Sequence, residues 1–375
     1  MVTEKILVSA GEASGDLYAA SLVETLRGRF PEVEFFGCAG PRMRRAGVRA
    51  VVQSESLAVV GLVEVLAHIP RVYGEYRKLV EAASRERPRL AILTDSPDFH
   101  LRVARRLKRL GIPIVYLVAP QVWAWRKGRI PVMRRLIDHL LCIFPFEEEF
   151  FRRHRIPATY IGHPLSRLIR PSLSKEDFLK KHGLAADRPL VALLAGSRGG
   201  EAARHLPALL DAAGAILRKR AVQFMLATPA PGFPLFREPI SGASIQVIEG
   251  ETWDVLAHAD LALAASGTVT IEAALLGTPM VTFYKVTGLS WFLGRFLVRV
   301  PYYSMVNLVA GRTVVPELMQ NEMRGERLAA EALRLLNDPG ARDEMRQGLA
   351  EVAAALSGGD DPMDRAADII QEFLR

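Results

Sequence analysis

The sequence has only two cysteines among its 375 residues, and each stands alone inside an apolar run. Cys38 and Cys142 form no CxxC pair and no cysteine–histidine grouping that would indicate zinc, and two isolated thiols provide no framework of disulfides. We therefore expect both to be buried, reduced thiols in a protein of a reducing compartment.

The long apolar runs of exported and membrane-spanning proteins are also missing. The first residues, MVTEKILVSAGEASGD, lack the basic stretch and long apolar core of a signal peptide. The longest stretch of low charge, residues 261–284, contains Glu272 and Pro279 and is typical of strand, turn, helix and strand. These absences favour a soluble chain that stays in the cytoplasm.

Acidic residues are fewer than basic ones. The chain has 41 Asp and Glu and 49 Lys and Arg, so its formal net charge is +8. A basic chain could favour nucleic acid, an anionic membrane or a phosphorylated substrate. Nucleic acid is disfavoured, since aromatic residues are not interleaved with the basic ones and no nucleic-acid-binding signature is present. A phosphate-rich substrate close to a membrane explains the charge at least as well.

Short apolar runs alternate with amphipathic segments along most of the chain. The first series of predicted strands is 6–9, 33–37, 90–94, 114–118, 139–143 and 159–161. After a polar connector at 172–188, the second series is 191–194, 223–226, 245–248, 261–264 and 280–283. Apolar strands alternating with helices predict parallel sheets covered on both faces.

The predicted fold class is therefore α/β, with two Rossmann-like domains facing a cleft and a C-terminal helical tail, an architecture that GT-B glycosyltransferases use. We place the domains at residues 1–171 and 189–324, and the tail at 325–375. We expect the tail to pack back on the N-terminal domain. Fold alone does not give function.

A glycine-containing turn, GEASGD, follows the first predicted strand. Gly11 and Gly15 would let the backbone turn sharply and approach a ligand, beside Glu12, Ser14 and Asp16. The segment is not GxGxxG, and no acidic residue stands where a ribose partner is expected, which disfavours NAD. The turn is either a substrate-cradling loop or an ordinary strand-to-helix connection with Asp16 near the helix start.

Two carboxylates three residues apart follow the strand at 90–94. Asp95 and Asp98 flank a Ser-Pro turn, at the sheet edge where open α/β sheets bind ligands. One of them could act as a general base toward an acceptor hydroxyl. The alternative is that Asp98 merely caps the next helix. We expect His100 to be a neighbour of the site rather than a catalyst.

Aromatic and basic residues follow the next strand. Gln121, Trp123 and Arg126 lie in the segment APQVWAWR, whose aromatic and cationic groups suit the surroundings of a sugar phosphate. Core packing and an ordinary basic helix start are the alternative. His163, after the last strand of the first series, is either structural or part of the ligand site.

A small-residue turn after the first strand of the second series suits a diphosphate. Gly196, Ser197 and Arg198 would supply backbone donors, one hydroxyl and one fixed positive charge. The Lys-Ser/Thr pair of a Walker P-loop is missing, which disfavours ATP hydrolysis.

A second turn of this kind contains Ser266, Gly267 and Thr268. Its amide donors could hold a phosphate, and Glu272, one helical turn further, could reach ribose hydroxyls. The alternative is a packed helix with a Ser/Thr cap.

Residues 59–69 are apolar over more than one helix face. They predict either a buried core helix or an interfacial segment that dips into lipid, because Arg71, Arg77 and Lys78 lie close by. Residues 291–298 are a second candidate for lipid contact.

Taken together, these motifs resemble those of the lipid-A-disaccharide synthase family. The matching segments, in family order, are SAGEASGD (9–16), GLVEVL (61–66), SPDFH (96–100), APQVWAWR (119–126), IGHPL (161–165), AGSR (195–198), ASGTVTIEAAL (265–275) and NLVAGRTVVPELMQ (307–320). They span most of the chain, and AGEASGD and PQVWAW are the specific ones. Ala195 stands where the family has proline, and His100 stands where we expect asparagine, which leaves acceptor positioning open.

The resemblance implies an inverting glycosyltransferase of lipid A and lipopolysaccharide biosynthesis in a Gram-negative bacterium. It would transfer 2,3-diacylglucosamine from UDP-2,3-diacylglucosamine to 2,3-diacylglucosamine 1-phosphate, giving a β-1′,6-linked disaccharide 1-phosphate and UDP. Residues 1–171 would form the acceptor and membrane side, and 189–324 would bind the UDP-sugar. No cofactor is implied. The protein would be peripheral on the cytoplasmic face of the inner membrane, and the tail allows a homodimer.

The resemblance also implies roles for single residues. Asp98 would deprotonate the acceptor 6-hydroxyl. The turns at 197–198 and 266–268, with Glu272, would hold UDP. Three further residues would line the donor side: Asn307, Glu317 and Gln320. Because Arg198 and amide donors can stabilise leaving UDP, we expect no required divalent ion.

Two other functions remain open on the sequence alone. The first is another UDP-sugar enzyme of this architecture, such as a UDP-GlcNAc 2-epimerase or a MurG-like transferase. The epimerase needs no lipid interface, so the apolar segment at 59–69 argues against it. The second is a non-catalytic protein that binds a nucleotide or a lipid surface.

Overall fold

The structure, a computed structural model, describes residues 4–57, 62–228, 245–288, 291–292, 298 and 300–374, with residues 62–69 described by their main chain only. The chain divides into two compact units. The first contains Met1–Pro164 and Leu356–Arg375, and the second contains Leu165–Ala355.

The first unit is built on a seven-stranded parallel sheet. Its strands are β1 (Lys5–Ala10), β2 (Glu34–Ala39), β3 (Arg49–Gln53), β4 (Leu90–Thr94), β5 (Ile114–Leu117), β6 (His139–Cys142) and β7 (Ala158–Tyr160). Their order across the sheet is β3-β2-β1-β4-β5-β6-β7. β4 is buried along its whole length, as expected for a strand with both faces covered.

The helices of the first unit follow the strands and cover the sheet. They are α1 (Ala13–Arg29), α2 (Pro41–Arg45), α3 (Leu62–Glu86), α4 (Pro97–Arg109), α5 (Ile130–Leu136) and α6 (Pro145–Arg153), with short 3-10 turns at Ser54–Ser56 and Lys127–Arg129. The C-terminal helix, Pro362–Leu374, also belongs here: Arg29 of α1 binds Asp364 at 2.7 Å and Asp368 at 2.5 Å.

The second unit repeats the same plan with six parallel strands. They are β8 (Leu190–Leu194), β9 (Gln223–Thr228), β10 (Ile245–Glu249), β11 (Leu261–Ala265), β12 (Met280–Tyr284) and β13 (Glu317–Met319), in the order β10-β9-β8-β11-β12-β13. Its helices are α7 (Leu165–Leu168), α8 (Lys175–His182), α9 (Gly199–Leu217), α10 (Thr252–His258), α11 (Thr268–Leu275), α12 (Met305–Ala310) and α13 (Gly325–Asn337), with a 3-10 turn at Gln320–Glu322. α14 (Pro339–Ser357) begins in the second unit and ends in the first, and α15 is Pro362–Leu374.

In each sheet the strand order reverses at one point. The reversal lies between β1 and β4 in the first sheet and between β8 and β11 in the second. Open parallel sheets bind ligands outside the carboxyl ends of the strands at such a point. The fold therefore directs attention to the turns after these four strands.

The predicted α/β class with a helical tail is confirmed, and each predicted strand is present within one or two residues of its expected bounds. Two edge strands, β3 and β13, were not predicted. The domain bounds differ from those expected at 1–171, 189–324 and 325–375. The tail is divided, because α13 and most of α14 belong to the second unit and only residues from Leu356 onward belong to the first.

Both cysteines are buried and free, as predicted, and burial raises the pKa of the Cys38 thiol to about 12. Among the residues that the structure describes, none of the helices combines the length and apolar character needed to cross a bilayer. The side chains of 59–69, and most of 291–298, lie outside the described residues. The lipid-contact interpretation of these two segments therefore stays a prediction.

Candidate active site

The turn after β4 is held by the turn after β1. Asp95 and Ser96 both have left-handed backbone conformations, with φ of 54° and 35°. The Asp95 carboxylate accepts hydrogen bonds from the main-chain amides of Gly11, at 2.9 Å, and Glu12, at 3.1 Å. Two consecutive non-glycine residues in this region are strained and persist only where their surroundings enforce them.

The glycines of the GEASGD segment make room for this strained turn. A Cβ atom on Gly15 would lie 1.7 Å from Asp95 Oδ2, and one on Gly11 would lie 2.4 Å from Ser96 Oγ. Burial raises the pKa of Asp95 to about 7, although the two amide hydrogen bonds act to lower it. The GEASGD segment thus packs against Asp95, which the sequence analysis considered only as one of two possible bases.

His100 is buried beneath the turn. Its Nδ1 lies 3.0 Å from the Asp95 carbonyl oxygen, and its Nε2 lies 2.7 Å from Ser9 Oγ. Since a carbonyl only accepts, Nδ1 carries the proton and Nε2 accepts from the Ser9 hydroxyl. Burial lowers the pKa of His100 to about 4, so the ring is neutral. Tyr116 also donates to the Asp95 carbonyl. His100 is therefore a support of the site, as expected.

Asp98 lies in the first turn of α4 with 64% of its side chain exposed. Arg126 Nη1 donates to both carboxylate oxygens, at 2.8 and 3.1 Å, and Arg129 donates to Oδ1. Partial burial acts to raise the pKa of Asp98, but the two arginines outweigh it and hold that pKa below its usual range. Asp98 is thus an accessible, ionised carboxylate that is tied to two guanidinium groups.

Asp16 is buried and binds main-chain amides. Its carboxylate accepts from the amides of Arg42, at 2.9 Å, and Met43, at 3.1 Å, at the start of α2. Gly40 approaches it so closely that a Cβ there would lie 2.4 Å from Asp16 Cγ. The structure therefore uses this predicted binding residue to fix α2, while Ser14 remains half-buried in the first turn of α1.

The segment after β5 presents its two tryptophans differently. Trp123 is anchored inward, because its Nε1 donates to Glu147 Oε1 at 3.0 Å and its ring meets Phe146 edge-on. Burial raises the pKa of Glu147 to about 7. Trp125 is 39% exposed, and the Arg126 guanidinium lies 4.2 Å from its ring centroid. Gln121 is exposed on the same segment.

His163 is 1% exposed, and its ring packs against Tyr18 and Phe144. Its amide donates to the Leu356 carbonyl at 2.7 Å. Burial lowers the pKa of His163 to about 3. The position is a packing site, which is one of the two roles that the sequence left open.

In the second unit, the turn after β8 is shaped by Gly196 and locked by His205. Gly196 has a φ of 114°, and a Cβ there would lie 2.8 Å from the Glu201 carboxyl group. Ser197 and Arg198 follow it, both exposed, at the start of α9. Buried His205 donates from Nδ1 to the Ala195 carbonyl, at 2.8 Å, and its Nε2 accepts from an amide at the end of β12.

The turn after β11 contains Ser266, Gly267 and Thr268, with the last two exposed at the start of α11. Ser266 Oγ donates to the Tyr303 carbonyl at 3.0 Å. Glu272 lies one turn into the helix, and burial raises its pKa to about 7, although a hydrogen bond from Trp253 acts to lower it.

Asn307, Glu317 and Gln320 were predicted to line the donor side, and their side chains form hydrogen bonds mainly with main-chain groups. Asn307 Oδ1 accepts from the amides of Val314 and Val315, and its Nδ2 donates to Glu317 Oε1 at 2.8 Å. The Glu317 carboxylate also accepts the amides of residues 303 and 304. Gln320 bonds both main-chain groups of residue 286. Glu317 thus holds the residue whose carbonyl accepts from Ser266, Asn307 orients Glu317, and Gln320 holds the main chain just after β12.

The structure brings the predicted residues together in two groups, one in each unit. The strand-end turns of the first unit collect Gly11, Gly15, Asp98 and Arg126, whereas Asp16 binds the amides at the start of α2 and the His163 ring packs against Tyr18 and Phe144. Sequence reasoning missed Arg129, Glu147 and His205. Of these three, only Arg129 left a signal in the sequence. It stands three residues after Arg126, a spacing that lets both side chains reach the same carboxylate.

Comparison with known proteins agrees with the two-domain architecture. The chain aligns over its full length with the glycotransferase of kitacinnamycin, over 100% of both chains, with a TM-score of 0.67 and 16% identity. A UDP-GlcNAc 2-epimerase from Neisseria meningitidis aligns over 99% of both chains, with a TM-score of 0.64 and 13% identity. At such identities the likeness shows the fold alone, which is the GT-B fold in two Rossmann-like domains.

Sequence relationships are far closer. The family model for lipid-A-disaccharide synthetase matches residues 6–359. A lipid-A-disaccharide synthase from Solibacter usitatus is 66% identical over 371 residues, which cover 99% of this chain and 97% of the relative. This chain belongs to the lipid-A-disaccharide synthase family and is a glycosyltransferase.

Proposed function

We propose that the chain transfers 2,3-diacylglucosamine from UDP-2,3-diacylglucosamine to the 6-hydroxyl of 2,3-diacylglucosamine 1-phosphate. The product is the β-1′,6-linked lipid A disaccharide 1-phosphate, and UDP leaves. The observation that carries the proposal, beside the family relationship, is an exposed, ionised carboxylate at the strand reversal of the first unit. This carboxylate, Asp98, lies in the segment SPDFH that resembles the family motif.

Asp98 is the base in this proposal. It would accept the proton of the 6-hydroxyl as that oxygen attacks the anomeric carbon of the donor, and the electron pair of the breaking bond would leave with UDP. Asp95 is the alternative base, but its carboxylate oxygens accept amide hydrogen bonds from Gly11 and Glu12. Asp98 is favoured because 64% of its side chain is exposed, whereas Asp95 is half-buried, so a substrate hydroxyl could approach Asp98 more readily.

The second unit would bind the UDP part of the donor. Main-chain amides at the starts of α9 and α11, with the Arg198 guanidinium, suit the two phosphates, and Glu272 suits the ribose. Asn307, Glu317 and Gln320 support this site indirectly. Gln320 holds residue 286 just after β12, Glu317 holds residues 303 and 304, and Asn307 binds Glu317. Arg198 and the amides would stabilise the developing charge on UDP, so we propose that no divalent ion is required.

The site of action would be the cytoplasmic face of the inner membrane, where the protein would bind peripherally. Support comes from the acylated substrates and from the middle of α3, where Tyr73 is 60% exposed and Arg71 is exposed as well. A homodimer remains part of the proposal. Flotation with anionic and neutral vesicles, and the mass of the particle in solution, test the two points separately.

UDP release is the measurement that tests the proposed reaction. Purified enzyme in detergent receives both substrates in the presence of EDTA, with Asp98→Asn beside the wild type. We expect acceptor-dependent UDP release that survives EDTA and falls roughly 10²- to 10⁴-fold in the variant, which is the usual contribution of a general base.

Asp343→Asn is the matched control, because Asp343 is an exposed aspartate paired with Arg346 on α14. It should retain wild-type activity. UDP release without the lipid acceptor would favour an epimerase-type reaction. UDP binding with no turnover in the wild type would indicate a non-catalytic protein.

A further inference from the structure

Asp98 is held by two arginines that approach it from one short segment. Arg126 and Arg129 stand at the two ends of a single turn that precedes α5, and Arg126 has a left-handed backbone with a φ of 56°. Together their guanidinium groups donate three hydrogen bonds to the two carboxylate oxygens. We refer to Asp98, Arg126 and Arg129 as the Asp98 clamp.

The clamp opposes the role of Asp98 as a base. A carboxylate takes up a proton through the oxygen lone pairs that the guanidinium groups now occupy. The neighbouring positive charges also stabilise its ionised form and weaken its basicity. A base is most effective when its pKa lies close to the working pH. The clamped state is therefore a resting state of the base.

The same two arginines form a site for a phosphate. Arginine binds phosphate oxygens through paired N–H groups, and two converging guanidinium groups match the charge of a phosphate monoester. The clamp is open to solvent on one side, since the side chains of Asp98 and Arg126 are 64% and 42% exposed, whereas that of Arg129 is 17% exposed. Trp125 stacks on the Arg126 guanidinium and supports its plane.

The acceptor carries both groups that the clamp can bind. Its phosphate is attached to C1 and its reactive hydroxyl to C6, and these substituents flank the ring oxygen of one sugar. A phosphate on the arginines would therefore bring the 6-hydroxyl to the neighbourhood of Asp98.

We propose that the acceptor phosphate takes Arg126 and Arg129 away from Asp98, so that acceptor binding itself releases the base. This inference rests on the proposed function. In the reaction, the O–H bond of the 6-hydroxyl breaks and its proton passes to Asp98. O6 bonds to the donor anomeric carbon, and the electron pair of the old bond leaves on UDP. An acceptor without phosphate would leave the clamp closed.

If the acceptor phosphate replaces Asp98 on the two arginines, removing the Asp98 charge should strengthen acceptor binding. Asp98→Asn removes the charge that competes with the phosphate, so the inactive variant should bind the phosphorylated acceptor more tightly than the wild type does. Because solvent screens ion pairs to an exposed carboxylate, losing two of them has a modest effect, and we expect a gain of roughly three- to tenfold. Arg129→Gln should lose roughly tenfold in affinity for the same ligand.

Calorimetric titration without donor tests this, with short-chain 2,3-diacylglucosamine 1-phosphate, its phosphate-free counterpart and UDP as ligands. Short acyl chains allow work without vesicles, which removes lipid phosphate as a second source. The phosphate-free sugar and UDP should bind equally to the wild type, Asp98→Asn and Arg129→Gln. Arg135→Gln is the control, since Arg135 is exposed on the neighbouring helix α5.

Two results would overturn the inference: no gain in Asp98→Asn, or no loss in Arg129→Gln. A loss of UDP affinity in Arg129→Gln would instead place the donor phosphates on this residue and overturn it as well. These failures are distinct from failure of the proposed function, which would appear as a wild-type enzyme that makes no disaccharide.

Discussion

The two units lock their strand-end turns in the same way but differ in where their other polar groups lie. In the first unit, neutral His100 joins the Asp95 carbonyl to the Ser9 hydroxyl. In the second, His205 joins the Ala195 carbonyl to the amide of Lys285. Each histidine thus connects the ends of two strands of its sheet.

Beyond this shared device, the first unit presents charged side chains to solvent, as in the Asp98 clamp. The second unit turns Asn307, Glu317 and Gln320 toward the main chain and leaves exposed turns at the starts of α9 and α11. The first unit would therefore supply the reacting carboxylate, and the second would bind the donor mainly through oriented amides. Substitutions in each unit test this contrast.

The largest effect on stability is expected from Asn307→Asp. The new carboxylate oxygen would replace the Nδ2 donor that lies 2.8 Å from Glu317 Oε1 and 2.9 Å from the Val315 carbonyl. Two acceptors would then face each other in a buried site, and we expect a loss of about 3 kcal/mol or more in the free energy of unfolding. Chemical denaturation measures it.

Asn337→Asp is the control, because Asn337 is exposed and its Oδ1 accepts from Arg220. It should be neutral or slightly stabilising. If Asn307→Asp unfolded normally and changed only donor affinity, Asn307 would contact substrate rather than hold the loop.

Gly15→Ala should come next. The added methyl group would lie 1.7 Å from Asp95 Oδ2, so Asp95 must move. We expect a destabilisation of about 1–3 kcal/mol from overpacking, together with a lower kcat. Gly28→Ala in the same helix has open space around its Cβ and should be neutral or stabilising by up to about 1 kcal/mol. Equal thermal stability of the two variants would contradict the packing role of Gly15.

Replacing His100 in the first unit or His205 in the second should change different kinetic parameters. His100→Leu removes the histidine partner of the buried Ser9 hydroxyl, and His205→Leu leaves the Ala195 carbonyl without its histidine donor. Each should cost about 1–3 kcal/mol of stability. In steady-state kinetics, His100→Leu should act on kcat and acceptor KM, whereas His205→Leu should act on the KM for the donor. A donor effect in His100→Leu would show that the roles assigned to the units are wrong.

The smallest effect concerns pH. Asp98 acts as a base only when ionised, and the clamp lowers its pKa, which keeps the wild type active toward lower pH. Arg129→Gln should raise this pKa and move the acid limb of kcat/KM to higher pH. The shift should be at most about 0.7 pH units, because solvent around the exposed Asp98 carboxylate screens the pair. The acceptor phosphate titrates equally in both enzymes, so a comparison of their profiles isolates Asp98.

Much of the fold could be predicted because buried parallel strands are continuous apolar runs, as in β4 and β8. The edge strands could not. β13 has three residues, and β3 begins with Arg49 and ends with Gln53, so neither has the apolar signal of a covered strand. Helical periodicity likewise revealed the tail but not its division, which depends on contacts such as Arg29 with Asp364.

The turns that form the candidate site could be predicted from the sequence, because open parallel sheets bind ligands at the carboxyl ends of their strands. Individual roles were less accessible. Asp16 and Asn307 stand in family motifs, yet both bind main-chain amides, and such partners leave no trace in the residue pattern. Arg129 was missed for the opposite reason, because a lone arginine on a basic segment looks like an ordinary solvated charge.

The chain crosses from one unit to the other at two places, after Pro164 and within α14 at Ala355. The second unit is therefore a continuous insertion within a discontinuous first unit. Chimeric enzymes that borrow the nucleotide-binding half of a relative should exchange residues 165–355 as one cassette. A simple front-to-back fusion would separate α1 from the helix that Arg29 binds.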